Sequence, residues 1–342
     1  MRLGLPLPRR PLWRVIRPEC SLRGSEIRAF AGRVCVSPMS TTPTIKEKGD
    51  VVEGYRVMAE IGRGAASIVY LVQDPKTKQV WALKHLEKNG PKDQRFLDQA
   101  EIEYKIAQKL DHKSIRQIPR MIKKGSLLSS KELFLVMEFV DGAALDTYRP
   151  KTFVEAVDMF TQTAHALEQM HERGFVHADM KPHNVMACPD ISGAKLAKII
   201  DLGQSCKIGT VKPRIQGTPD YIAPEQVRRE QIVPKTDVYN LGATMYWVLT
   251  RQHIPTAFAK GDNSLSGSLD AVVLEKPTPA NEINKNIDQR LSDLLMLCVE
   301  PSQARRPTMS DVADKLELIL GVLRTRAESE ASKAGLTLDD GQ

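Results

Sequence analysis

The most constraining feature of this 342-residue chain is a short polar segment, His177–Asn184, which reads His-Ala-Asp-Met-Lys-Pro-His-Asn. It places a carboxylate (Asp179) close to an ammonium group (Lys181) and a carboxamide (Asn184). A further carboxylate, Asp201, follows an apolar run. Phosphoryl transfer from a nucleotide needs a carboxylate to take the hydroxyl proton, a cation beside the moving group, and oxygen ligands for Mg²⁺. In isolation, the same residues would also suit a polar surface loop between two strands.

The spacing His-x-Asp-x-Lys-Pro-x-Asn, followed by Asp-x-Gly, resembles the catalytic and metal-binding loops of eukaryotic-type Ser/Thr protein kinases. The resemblance implies that Asp179 is the catalytic base, that Lys181 balances charge on the γ-phosphoryl group, and that Asn184 and Asp201 hold Mg²⁺. It implies that His177 packs behind Asp201. It also implies an α+β fold with two lobes, a small antiparallel-sheet lobe of five strands with one helix and a larger, mainly helical lobe. ATP would lie between the lobes.

A turn containing two glycines precedes this segment in the chain. Tyr55–Ile61 and Ser67–Val72 alternate like two strands, and Gly62–Ala66 joins them. Glycine would let the backbone approach a phosphate closely, although a plain hairpin turn explains the same residues. The position of the turn ahead of Lys84 favours the nucleotide-binding interpretation. Val80–Lys84 resembles the family's strand whose lysine pairs with the α- and β-phosphates.

Two further segments resemble parts of the family's nucleotide site. The helical pattern from Phe96 to Leu110 carries Glu103 on its inner side, and a carboxylate on an apolar face is costly unless it is paired. Lys84 is its predicted partner, with Glu101 as the competing carboxylate. Leu133–Met137 is typical of a buried strand, and it leads into a segment that resembles the family's hinge.

By resemblance, Met137 guards the back of the adenine pocket, and the backbones of Glu138 and Val140 bond the adenine edge. The complete set of ATP-binding residues that the resemblance implies is Ile61, Gly62, Arg63, Gly64, Ala65, Ala66, Ser67, Ile68, Val69, Ala82, Lys84, Glu103, Met137, Glu138, Val140 and Met186.

The chain between residues 201 and 225 resembles an activation segment. Its closing string, Gly217–Glu225, is highly specific to the family. Thr218 together with Lys181 is the pattern of Ser/Thr kinases rather than Tyr kinases, and Thr218 is therefore included among the predicted catalytic residues.

Two tethers are implied outside the nucleotide site. Glu225 is predicted to pair with an arginine late in the chain, for which Arg306 is the best match and Arg305 the alternative. Asp237, near the start of a long apolar helix, is predicted to hold the backbone of the catalytic loop. An acidic residue at such a position could otherwise be a simple helix cap.

One departure from the family pattern concerns regulation. Ala178 stands where most regulated kinases have an arginine that receives a phosphorylated activation loop. Alanine cannot form those charge-assisted bonds. We therefore predict that phosphorylation at Thr210 or Ser205 is not required for activity.

The first 50 residues stand apart from the rest of the chain. Met1–Pro38 is rich in Arg and Pro, lacks Lys, and shows no helical or strand period. Three interpretations are open: a disordered basic arm, a transit-like leader, or a translation start at Met39. We favour disorder or the later start. The predicted boundaries are 1–50 for a disordered extension, 51–138 for the small lobe, 139–325 for the large lobe and 326–342 for a polar tail.

Composition limits the partners and the compartment. The net charge of +7 owes much to the first segment, and no basic and aromatic interleaving recurs, so nucleic acid is not an expected partner. The five cysteines are scattered without Cys-x-x-Cys spacing, which is typical of a reducing cytoplasm and disfavours a disulfide framework or a zinc site. No apolar run is long enough for a membrane span. The chain ends soon after the kinase-like region, so we expect a soluble cytoplasmic enzyme.

Three function classes were weighed. The first is an active kinase that phosphorylates Ser and Thr of protein substrates, with ATP and Mg²⁺ as cofactors. The second is a nucleotide-binding scaffold without activity, which the presence of Lys84, Asp179, Asn184 and Asp201 disfavours. The third is a small-molecule kinase, which the closing Ala-Pro-Glu disfavours. The protein substrate and the oligomeric state are not predicted.

Overall fold

The computed structural model describes residues 43–64, 66–126, 129–190, 193–256 and 275–339. Most of the predicted N-terminal extension, together with Cys20, Cys35 and the loop residue Ala65, lies outside this part of the chain.

An antiparallel sheet forms the first part of the fold. Its strand order is β1-β2-β3-β4-β6-β5, so six strands replace the predicted five because a two-residue strand, β1, pairs with β2. The strands are β1 Val51–Val52, β2 Tyr55–Arg63, β3 Ser67–Gln73, β4 Val80–Glu87, β5 Arg120–Ser126 and β6 Ser129–Glu138.

Successive side chains of β3 point to opposite faces of the sheet, and the two faces pack against different apolar clusters. Ile68, Tyr70 and Val72 are buried in a small apolar cluster on one face, while Val69 packs against the main core on the other. The main core extends from this second face through the helices. Helix α1, Gln94–Ala107, follows a short 3-10 turn and lies against the sheet with Glu103 among its buried residues.

The remainder is mainly helical. Helix α2 is capped at its start by Thr152, whose side chain accepts from the Glu155 amide, and α4 is buried on nearly all sides. A long apolar helix with no polar face is typical of the centre of a large domain. The helices after α1 are α2 Phe153–Glu172, α3 Pro224–Val227, α4 Pro234–Thr250, α5 Ala280–Ile283, α6 Gln289–Cys298 and α7 Met309–Asp339.

Short strands hold the polar loops against the helices. Strand β9 pairs with both β7 and β10, β8 pairs with β11, and β12 pairs with β13. The loop with the octapeptide therefore runs between β8 and β9, and Asp201 follows β10. These strands are β7 Ala143–Ala144, β8 Phe175–Val176, β9 Val185–Pro189, β10 Lys195–Ile199, β11 Cys206–Lys207, β12 Thr210–Val211 and β13 Gln231–Ile232.

Structured contacts extend beyond both predicted ends of the kinase-like region. Residues 43–50 were predicted as part of a disordered extension, but the Thr44 amide donates to the Glu87 carboxylate at 2.7 Å and the Lys46 amide to the Tyr70 hydroxyl at 3.0 Å. A polar tail was predicted from residue 326 onward, and α7 continues through this segment to Asp339. Near the predicted end, Arg324 pairs with Asp158 at 2.7 Å and Arg326 with Asp288 at 2.8 Å, so this part of α7 contacts the rest of the domain. Within the described ranges, no helix combines the length and apolar character that a membrane crossing requires.

Candidate active site

A cleft of about 380 Å³ opens between the sheet and the first loops of the helical part. It collects most of the residues predicted to bind ATP and Mg²⁺. The predicted residues that line it are Ile61, Gly62, Arg63, Gly64, Ser67, Val69, Ala82, Lys84, Glu103, Met137, Val140, Asn184, Met186 and Asp201.

Three of the described residues predicted for the ATP site do not line the cleft. Ile68 is buried in the cluster on the opposite face of the sheet, because its side chain alternates with that of Val69. Ala66 is also buried away from the opening. The side chain of Glu138 turns aside, where it pairs with Lys198 and accepts from the Gln117 amide. Ala66 and Ile68 were predicted only as part of the glycine-rich segment, whereas the prediction for Glu138 concerns its backbone and does not depend on where its side chain lies.

The predicted ion pair between Lys84 and Glu103 is confirmed. The Lys84 ammonium lies 2.7 Å from the Glu103 carboxylate, whereas Glu101 pairs with Lys123 at 2.6 Å. Burial disfavours a charge on Lys84, but attraction to Glu103 and Asp201 outweighs it and raises the pKa of the ammonium. Lys84 is therefore a fixed cation at the inner end of the cleft.

Asp237 anchors the catalytic loop, as predicted. One of its carboxylate oxygens accepts from the His177 amide and the other from the Ala178 amide, both at 2.8 Å. His171 contacts the same carboxylate at 2.8 Å. The anchor is fully buried at the start of α4, so the loop backbone is fixed to the most enclosed helix of the fold.

Asp179, Lys181 and Thr218 form one hydrogen-bonded cluster. The Lys181 ammonium lies 3.0 Å from Asp179 Oδ2 and donates to the Thr218 hydroxyl at 2.9 Å. The Thr218 amide and hydroxyl each lie 3.0 Å from Asp179 Oδ1. The cluster joins the catalytic loop to the closing part of the activation segment and holds the Asp179 carboxylate in one orientation.

Asn184 and Asp201 both line the cleft, and each has a side-chain oxygen that could bind a metal ion. The Asn184 amide nitrogen donates to the Asp179 carbonyl at 2.8 Å, a bond that leaves its amide oxygen unused. Asp201 Oδ1 accepts from the Gly203 amide at 2.9 Å. Burial opposes ionisation of Asp201, but Lys84 and the Gly203 amide outweigh it and lower the pKa of the carboxyl. An ionised carboxylate and a carboxamide oxygen fit Mg²⁺, which takes few protein ligands besides water and phosphate oxygens.

The predicted tether of Glu225 is confirmed with Arg306. The two guanidinium NH groups lie 2.7 Å and 3.0 Å from the two carboxylate oxygens, and both side chains are buried. The alternative partner, Arg305, lies 3.7 Å from Glu300 instead.

The two histidines of the octapeptide differ in setting. His177 is completely buried and its Nε2 has no hydrogen-bond partner among the described residues, which agrees with a packing role. His183 lies at the cleft edge, 2.9 Å from Asp146.

Five residues of the cleft wall were missed by sequence reasoning. Ile200 could have been found as the neighbour of Asp201, whereas Arg116 belongs to no motif that was recognised. It reaches the cleft because the Ile115–Ile199 bridge places the chain beside β10. The missed residues are Arg116, Phe139, Ala144, His183 and Ile200.

Comparison with known proteins identifies the family of this chain. Residues 55–316 match the protein kinase domain family, so the chain belongs to that family and its fold is the two-lobed protein kinase fold. Enzymes of this family generally use ATP and Mg²⁺.

Three of the similar proteins come from bacteria. A probable serine/threonine-protein kinase of Clostridium acetobutylicum is 27% identical over 77% of this chain and 39% of its own length. The serine/threonine-protein kinase PknB of Mycobacterium tuberculosis is 28% identical over 78% of this chain and 46% of its own length. A probable serine/threonine-protein kinase PknB of Lactococcus lactis is 28% identical over 77% of this chain and 42% of its own length. The chain thus spans about half or less of the length of these relatives.

Proposed function

We propose that this chain is a serine/threonine protein kinase that transfers the γ-phosphoryl group of ATP to Ser and Thr hydroxyls of protein substrates. The observation that carries the proposal is the convergence of Lys84, Asp179, Asn184 and Asp201 at one cleft. The names of the relatives support the same activity.

The proposed mechanism relies on positioning and electrostatics, because phosphoryl transfer leaves little covalent chemistry to the protein. Lys84 would bind the α- and β-phosphates from the inner end of the cleft. Asn184 and Asp201 would hold Mg²⁺, which when bound neutralises charge on the phosphate oxygens. Asp179 would accept the proton of the attacking hydroxyl.

Lys181 and Thr218 support the proposed base. Their bonds to Asp179 orient its carboxylate, and Lys181 stands where it could also offset the charge of the departing γ-phosphoryl group. Because Thr218 belongs to the activation segment, the proposed base is correctly oriented only when that segment is in place. This arrangement supports Ser/Thr specificity through the predicted pairing of Lys181 with Thr218.

Two predictions from the sequence remain part of the proposal. The small lobe is assigned to residues 51–138, to which residues 43–50 are bonded, and the large lobe to residues 139–325, beyond which α7 continues. The cytoplasm is the compartment that the cysteine pattern predicts.

The test is transfer of label from γ-labelled ATP, with Mg²⁺, to a generic basic protein, followed by mass spectrometry of the acceptor sites. We expect phosphoserine and phosphothreonine, and a loss of at least about a hundredfold in Asp179→Ala, the usual contribution of a general base. Lys84→Met should be equally inactive.

Asp111→Ala is the matched control, because it removes an exposed carboxylate outside the cleft. A folded wild-type sample that transfers no phosphate would refute the proposal. Equal label with wild type and Asp179→Ala would remove Asp179 from its role.

A further inference from the structure

Arg116 is a cation in the wall of the cleft that the proposed mechanism does not use. Its backbone amide donates to the Ile199 carbonyl at 2.8 Å, which fixes the residue beside the strand that leads to Asp201. Its side chain lines the cleft together with Lys84, Glu103 and Met137. Among the described residues, three permanent cations thus line the cleft: Lys84, Arg116 and Arg63, of which Arg63 pairs with Glu60 at 2.7 Å.

The hydrogen-bonding capacity of this guanidinium is largely unused. Its Nε is buried and has no partner in the described part of the chain, and one NH group has only the Met137 sulfur, 4.0 Å away. A thioether is a weak acceptor, so this contact satisfies little. Burial lowers the pKa of Arg116, and the nearby Glu103 and Asp201 work against that shift. A buried donor without a partner is costly, so Nε needs an acceptor that the described part of the chain does not supply, either a water molecule or a ligand.

One guanidinium NH group lies 4.0 Å from the Met137 sulfur, so the side chain reaches the part of the cleft where the base is expected, although Glu103 and Asp201 on its other side belong to the phosphate end. Met137 pairs in register with Ala82, and the hinge follows it directly. The amide of the next residue, Glu138, already donates to the Gln117 carbonyl at 2.8 Å. That amide is therefore not free for a base, and Arg116 is a strong side-chain donor nearby.

We propose that Arg116 reads the edge of the purine base, donating to N7 and to an oxygen at position 6, and that the enzyme therefore uses GTP as well as ATP. The inference rests on the proposed nucleotide binding and extends it to base specificity. Guanine presents N7 and O6 as adjacent acceptors, a pair that arginine binds with two donors. Adenine presents N7 but an amino group at position 6, so it can accept only one of these bonds.

The first experiment compares dissociation constants of ATP, GTP and their 7-deaza analogues, with Mg²⁺, for wild type and Arg116→Val. Loss of the N7 acceptor should weaken binding to wild type by about tenfold, the usual effect of a hydrogen bond to a charged group. For Arg116→Val, the dissociation constants of each nucleotide and its 7-deaza analogue should be equal. Equal weakening in both proteins would overturn the inference.

The second experiment measures kcat/KM for both nucleotides. Wild type should use GTP within about tenfold of ATP, and Arg116→Val should lower the GTP to ATP ratio by about tenfold or more. Arg116→Lys keeps the charge but not the planar pair of donors, so it should recover ATP use better than GTP use. A wild type that excludes GTP, or a ratio unchanged in Arg116→Val, would refute base reading by Arg116.

These outcomes separate the inference from the proposed function. If wild type binds and transfers from ATP but Arg116 does not affect the 7-deaza comparison, only the inference fails. If wild type binds neither nucleotide, both fail. Thermal unfolding of each variant without nucleotide shows whether the substitution has damaged the fold, and Arg116→Lys serves if Arg116→Val does not fold.

Discussion

At the scale of single residues, the strongest functional constraint is the pairing of buried charges. Glu103 is 2% exposed and its only ion pair in the described part of the chain is with Lys84. Removing one partner of a buried pair leaves the other charge without compensation. Lys84 would then be free to move, and the phosphates with it.

We expect Glu103→Ala to lower kcat/KM for MgATP by about a hundredfold, the usual cost of misplacing a reacting group by an ångström. Steady-state kinetics at several ATP concentrations would measure it. Glu101→Ala is the matched control. It also removes a carboxylate from α1, but the partner of that carboxylate is Lys123 and not Lys84. A comparable loss in both variants would show that helix stability, rather than the Lys84 pair, explains the effect.

His85, which follows Lys84 in the chain, predicts a pH dependence of the stability of the fold. It is fully buried on the outer face of the sheet, stacks on Phe134 with ring centroids 4.4 Å apart, and lies 3.3 Å from Glu132. Lys46 and Glu87 are the other charged groups near it. Burial lowers the pKa of His85, with Glu132 acting in the opposite direction.

A lowered histidine pKa means that the unfolded chain binds the proton more readily than the folded one. Its contribution to stability is complete above the unfolded pKa of about 6.5 and falls as the pH drops below that value. His85→Phe should remove this part of the slope, at most about 1.4 kcal/mol per pH unit. Urea unfolding between pH 7 and pH 5 would test this, and an unchanged slope would contradict it.

At the scale of elements, the activation segment is held by bonds of its own. The Ile208 amide donates to the Gly174 carbonyl at 3.0 Å and the Gly209 amide to the Ile232 carbonyl at 2.8 Å, beside the pairings of β11 and β12. The Lys212 ammonium donates to the Gln204 carbonyl at 2.8 Å inside the segment. None of these bonds needs a phosphate group.

Gln226 connects the same segment to the catalytic loop. Its side-chain amide donates to the carbonyls of Ala178 at 2.8 Å and Gln216 at 3.2 Å. Ala178 has a φ of 62°, the left-handed region that costs an L-residue about 1 kcal/mol or more. The bond from Gln226 and the grip of Asp237 on the Ala178 amide hold this conformation.

We therefore expect Thr210→Ala and Ser205→Ala to keep activity within about threefold of wild type, a change of less than about 1 kcal/mol in the barrier. Ser205 is 2% exposed, so a kinase could not reach it without opening the segment. Peptide phosphorylation assays on enzyme treated with phosphatase would give the comparison. Near-complete loss of turnover in either variant would show that a phosphate is required.

Lys212→Met is the contrasting variant. Burial lowers the pKa of Lys212, although Cys206 and Asp179 act against that shift, and the ammonium is committed to the Gln204 carbonyl. Its removal should lower kcat by about tenfold, because the segment that carries Thr218 loses an internal tie. Activity equal to wild type would show that the strand pairings alone hold the segment.

How far the sequence predicted this site depends on the kind of contact. Lys84, Glu103, Asp179 and Asp201 were predicted because the segments that carry them resemble motifs of the kinase family. Arg116 was missed because its position in the cleft depends on a bridge between segments more than 80 residues apart in the chain.

The ends of the domain illustrate the same limit. The contacts of Thr44 with Glu87 and of Arg324 with Asp158 join residues far apart in sequence. Periodicity and composition report the local preference for helix, strand or loop, and neither shows which distant residues come into contact. The sixth strand, β1, was missed because two residues are too few for an alternating pattern.

At the scale of the whole molecule, Arg306 links parts of the chain that are distant in sequence. Besides Glu225, its guanidinium donates to the carbonyls of Lys235 at 2.9 Å, Glu300 at 2.7 Å and Pro301 at 3.0 Å. It thereby joins the end of the activation segment, the start of α4 and the approach to α7.

Glu225→Gln and Arg306→Met should each destabilise the protein by about 3–5 kcal/mol, since each leaves one buried charge unpaired. Guanidinium unfolding would measure the free energies. The double variant should lose less than the sum, because it buries no unpaired charge. Strict additivity would mean that the two side chains act independently.

The short lead-in from Pro43 to Asp50 has a practical consequence for anyone who trims this protein. A shortened version beginning at Val51 would strip the covering from the Tyr70 hydroxyl and the Glu87 carboxylate, both of which the lead-in bonds. Both groups would then need new hydrogen-bond partners from water. Preparations meant for crystals or assays should start ahead of Pro43.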